Sequence, residues 1–101
     1  MAQGTNIYGE VENQTDFGQI LLAIRKDVDG AKSREGLTEL YRRAGYLITL
    51  THAPSWREKF GRRAGRLRAV GEEEFAKTAR AINRRARAIG EDADYDERWG
   101  D

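Results

Sequence analysis

Apolar residues return at three- and four-residue intervals through most of this chain, and each stretch of that rhythm predicts a helix. Phe17, Ile20, Leu21, Ile24 and Val28 share one face of a helix that Asp16 can cap and Gly30 can end. Ser33 can cap a longer second helix, in which Leu37, Leu40, Tyr41, Ala44, Leu47, Ile48 and Thr51 keep unbroken register. Tyr46, Leu50 and Ala53 add apolar character on another side. A helix apolar on more than one side is usually central, so this is the expected core helix. Within it residues 46–51 read YLITLT, a string rich in β-formers, and a strand is the alternative there. The register inherited from Leu37 favours the helix.

Pro54 breaks the run. Ser55 followed by Glu58 has the form of a capping box, with Trp56 opening an expected third helix. Its apolar face is Trp56, Phe60, Ala64 and Leu67, and Gly71 is expected to end it. Glu72, Glu73 and Glu74 then stand where carboxylates suit a helix N-terminus. In the last helix Phe75, Ala79, Ile82, Ala86 and Ile89 alternate four and three, closed by Gly90. The expected fold is all-α, a compact bundle of about four helices over residues 16–90. An extended N-terminal arm (1–15) precedes it and an acidic C-terminal tail (91–101) follows. Weak strand-like alternation over 7–12 suits an ordered arm. The string Arg-Arg-Ala begins at Arg42, Arg62 and Arg84, but the flanking apolar patterns differ, so composition explains it rather than a repeat.

Composition narrows the class. The 101 residues suit one domain with a core of little margin, and 39 % hydrophobic residues are too many for disorder throughout. The absence of Cys removes disulfides, thiolate nucleophiles and Cys-based metal sites. Residues 1–18 have neither a basic n-region nor an apolar run, and no stretch approaches the roughly 20 apolar residues of a membrane span. A soluble, cytoplasmic protein is the expectation.

Charge changes the picture more. The formal net charge is only +1, yet residues 57–88 carry eleven Lys/Arg against four Glu, and 91–101 carry six acids against one Arg. Arg outnumbers Lys fourteen to four. That favours bidentate contacts with carboxylates or phosphates, although genomic base composition produces the same bias.

Catalytic constellations are thin. His52 is the single histidine and has no sequence neighbour that makes it a base or a metal ligand, so a structural role is expected. Asp27-Val-Asp29-Gly30 begins like a calcium loop, but its Gly falls at position four and position twelve is Thr38. Three consecutive glutamates on a helix point in different directions and do not converge. Neither a dinucleotide nor a phosphate-loop motif occurs. The expectation is a non-enzymatic protein without cofactor or metal.

The basic helices carry the functional expectation. Lys77, Arg80, Arg84 and Arg87 lie opposite the Phe75/Ile82/Ile89 seam, and Lys59, Arg62, Arg63 and Arg66 form a similar stripe on the third helix. Such stripes can track a nucleic-acid backbone; the alternatives are an acidic protein partner and a solvated face whose Arg stems cover the core edge. Membrane binding would need the apolar face that the core already uses. Gly61 and Gly65, beside Arg57 and Arg68, invite a close backbone approach, either by a neighbouring helix or by a phosphate chain. In the tail, Tyr95 and Trp99 stand among acids as docking anchors would, either folding back onto the basic stripe or reaching a neighbouring subunit; a plain acidic tail with incidental aromatics is the alternative. The function expected is a non-catalytic helical subunit or adaptor of a larger assembly, holding a nucleic-acid backbone without reading sequence. The alternative is a protein–protein or homo-oligomerising module whose acidic tail docks on a basic surface.

Overall fold

The computed structural model describes residues 14–100; the expected arm over 1–15 lies outside them except for Gln14 and Thr15, which open the first helix. The chain is mostly helical and compact, with no strand among the described residues. Its elements are α1 (Gln14–Val28), α2 (Arg34–Thr51), α3 (Pro54–Phe60), a 3-10 turn (Gly61–Arg63) and α4 (Ala64–Ala88). Three helices are long and α3 has only seven residues, so the expected bundle of about four helices is corrected to three long helices and one short one among the described residues. Among the described residues no helix is long and apolar enough to cross a membrane.

The apolar registers form one core. Phe17, Leu21, Ile24 and Val28 of α1 meet Leu37, Leu40, Ala44, Leu47 and Ile48 of α2, and Phe75, Ala79, Ile82 and Ala86 of α4. Each large apolar side chain so buried contributes about 1.5–3 kcal/mol. Along α4, Gly71 lies by the Phe17 ring, Glu74 and Thr78 by Arg25, and Arg85 by Ala31. Hence α1 and α4 run parallel, with α2 antiparallel to both.

Helix boundaries follow local chemistry, with corrections. Ser33 caps α2, its hydroxyl accepting from the Gly36 amide at 3.1 Å. Residues 46–51 continue α2 as helix. α1 begins at Gln14, which puts Asp16 inside its first turn rather than at the expected cap. The capping box is not formed: Pro54 takes the first turn of α3, where its missing N–H costs nothing, and Ser55 lies inside that turn.

The largest departure concerns two glycines. The expected third helix is not a unit, because the chain breaks at Gly61, which takes φ 56° and ψ −125°. Gly71 does not end a helix; it lies buried inside α4 against Phe17, where a Cβ would stand 2.9 Å from the ring. Ala64, Leu67, Gly71 and Phe75 are therefore one continuous buried register. Trp56 and Phe60 pack at 4.4 Å between centroids, and the Trp56 indole N–H donates to the Ala64 carbonyl at 3.1 Å. That bond ties α3 to α4 across the break. Glu72, Glu73 and Glu74 thus stand within a helix rather than at its start, and Glu74 pairs with Arg25 at 3.2 Å and with Lys77 at 3.1 Å.

Candidate nucleic-acid interface

The tail lies along one side of the molecule. Gly90, with φ 79°, ends α4 in a Schellman turn closed by the bond from the Glu91 amide to the Ala86 carbonyl at 2.8 Å. The chain then returns over the groove between α2 and α4. Asn83 clamps Tyr95 at two points: its Oδ1 accepts from the Tyr95 amide at 2.7 Å and its Nδ2 donates to the Tyr95 carbonyl at 2.9 Å. The hydroxyls of Tyr95 and Thr38 bond at 2.7 Å, and Tyr41 donates to the Asp96 carbonyl at 2.9 Å. Trp99 donates its indole N–H to the Thr49 hydroxyl at 2.7 Å, and its ring lies over Gly45, where a Cβ would come within 2.3 Å. Tyr41 is the hub, 4.9 Å from the Tyr95 ring, 5.3 Å from Trp99 and 5.4 Å from Phe75.

This arrangement divides the basic residues. On the later half of α4, Lys77 is paired with Glu74, and Arg80 meets the tail's Glu97 at 2.8 Å. Arg84 and Arg87 are exposed and have no ion pair among the described residues. The corner made by α3, the 3-10 turn and the start of α4 is different. Lys59, Arg62, Arg63 and Arg66 are all exposed there, joined by Arg57, with Arg68 half-buried. Among the described residues Arg57, Lys59, Arg62 and Arg66 have no ion pair, and Glu58 is the one acid between positions 57 and 71. Lys59 and Arg63 lie 5.7 and 5.6 Å from the Phe60 ring centroid, so the ring helps seat two of the cations. Unpaired cations clustered at such a corner can neutralise several phosphates without reading bases.

His52 stands between two clefts. Its Nδ1 lies 3.4 Å from an Arg68 nitrogen and its Nε2 3.6 Å from a Glu72 oxygen. One cleft, of about 540 Å³, runs over Ile48, Phe75 and Trp99 beneath the tail. Its hydroxyl, Thr49, donates to the Gly45 carbonyl at 3.3 Å and accepts from Trp99. The other, of about 470 Å³, opens toward the basic corner and is lined by His52, Arg57, Glu58, Gly65 and Arg68.

Gly61 and Gly65 do not receive a neighbouring helix; a Cβ at either would meet nothing within 4 Å. The close approaches occur at Gly45 and Gly71 instead. Sequence reasoning passed over Arg57 and Arg68 as site residues, and over the cradle of Thr38, Tyr41, Gly45, Thr49 and Asn83. One signal was present: Gly45 costs about 1 kcal/mol inside a helix and so calls for a compensating contact. No protein-family model, no curated protein and no solved structure matches the chain.

Proposed function

We propose that this protein is a non-catalytic helical module, a cytoplasmic subunit or adaptor of a larger assembly, that holds a nucleic-acid backbone on its basic corner. The observation that carries the reading is the absence of ion pairs, among the described residues, at Arg57, Lys59, Arg62 and Arg66, all exposed at the corner where α3, the 3-10 turn and α4 meet. Exposed cations without carboxylate partners bind phosphates at little desolvation cost and release counterions in doing so. The competing reading, a tail that docks on another molecule's basic surface, is less favoured. Tyr95 and Trp99 are already engaged by α2 and α4 of their own chain.

The test is fluorescence anisotropy with an oligonucleotide of mixed sequence between 50 and 200 mM salt. Affinity should fall steeply with salt and depend little on sequence. Arg62→Glu with Arg66→Glu should weaken binding about tenfold or more and flatten the logarithmic salt slope by about one to two units. Unchanged affinity and slope in that variant would sink the reading.

A further inference from the structure

The cleft of about 470 Å³ beside the basic corner has a composition the corner itself lacks. Three elements converge on it: His52 from the end of α2, Arg57 and Glu58 from α3, and Gly65 and Arg68 from α4. Two arginines and one glutamate are among the residues that line it. Arg57 has no ion pair among the described residues. Arg68 spends one N–H on the His52 ring at 3.4 Å, an acceptor that holds the guanidinium without cancelling its charge. The carboxylate of that local chain, Glu72, lies on the far nitrogen of His52. Gly65 leaves the wall bare, since a Cβ there would touch nothing within 4 Å and the fold's own packing does not require glycine.

A chain that runs past the protein tracks the exposed corner, whereas a recess between three elements admits an end. The two kinds of phosphate also differ in charge. A terminal monoester carries about −1.5 to −2 at neutral pH and presents three oxygens, while an internal diester carries a single charge. Two guanidiniums, each able to offer a pair of parallel N–H bonds, suit the more highly charged group. We propose that this cleft binds a phosphate monoester, presented as the terminal phosphate of a nucleic-acid chain, with Arg57 and Arg68 as its ligands. The proposal rests on the backbone reading above for the source of the phosphate, and on the cleft alone for its chemistry.

The experiment compares one oligonucleotide sequence with a 5′-phosphate, a 3′-phosphate or hydroxyls at both ends, and adds a nucleoside monophosphate alone. Binding is read by anisotropy and by the ring resonances of His52, the single histidine. A phosphate at one end should tighten binding about tenfold and move the His52 resonances. Arg68→Gln should remove most of that preference while the hydroxyl-ended chain still binds and the thermal melt is retained. If the monophosphate moves His52 but no oligonucleotide binds, the cleft stands as a monoester site and the backbone reading falls. Equal affinity for all three oligonucleotides, with His52 unmoved by the monophosphate, overturns the proposal and leaves the backbone reading intact.

Discussion

The later half of α4 and the corner at its start are both rich in arginine, yet the tail covers part of one and leaves the other open. The cations do not explain the difference. Arg80 and Glu97 form an ion pair between α4 and the tail, and with both side chains about half exposed such a pair is worth about 0.2–1 kcal/mol. What the covered side has, and the corner lacks, is a cradle: Gly45 to receive an indole, Tyr41 to stack against two rings, and Asn83 to clamp a peptide group. A segment that looks electrostatic by composition is therefore positioned by its two aromatics. Where no such cradle exists, the arginines stay available.

The most severe way to break this comparison is at Gly45. A Cβ there meets the Trp99 ring at 2.3 Å, and the α2 backbone cannot retreat, so the ring must leave. Gly45→Ala should cost about 2–3 kcal/mol in denaturant unfolding, less than the roughly 3–5 kcal/mol of a fully buried aromatic because Trp99 is only partly buried. It should also shift Trp99 emission to the red. In a Trp99→Ala background the sign reverses, because the added methyl meets nothing and alanine is the better helix former by up to about 1 kcal/mol. An equal cost in both backgrounds would show that Trp99 is not what Gly45 accommodates.

The corner has its own glycine test, of smaller size. Gly61 holds φ 56° and ψ −125°, a conformation that costs other residues about 1–3 kcal/mol. Gly61→Ala should lose that amount of stability, while Gly65→Ala, with ordinary backbone and open space, should lose none. Comparable losses at both sites would mean that the chain break does not depend on the Gly61 backbone.

These glycines also show where the sequence was legible. The registers at Phe17/Ile20/Leu21/Ile24/Val28 and Phe75/Ala79/Ile82/Ala86/Ile89 needed only periodicity, and all of these residues are buried except Ile20 and Ile89, which are partly so. Gly61 and Gly71 present the same letter ten positions apart, both within apolar spacing. Which one breaks the helix is decided by a φ angle at the first and by the Phe17 ring against the second, and neither is local information. The tail was half legible. Tyr95 and Trp99 stood out among acids, but their receptor is assembled from Thr38, Tyr41, Gly45, Thr49 and Asn83 on two helices. Of the eight basic residues singled out, Lys77 and Arg80 turned out to have carboxylate partners in the chain. A pattern of charges cannot announce which of its members the fold will use.

The finest discrimination between the two regions lies in the sign of a small effect. Arg62 and Arg66 are exposed among like charges without a carboxylate partner in the described residues, so truncating both removes repulsion and little else. Arg62→Ala with Arg66→Ala should leave unfolding stability within about 0.5 kcal/mol of the parent. Any change should be a gain, largest at low ionic strength. Arg80→Ala removes an attraction instead, so its loss, below about 1 kcal/mol, should likewise be largest at low salt and fade as screening rises. Parallel melts of both variants across a salt series separate the cases, because the curves approach the parent from opposite sides. A corner variant that loses more than 1 kcal/mol would make those arginines structural, and the contrast between a covered and an available basic surface would fail.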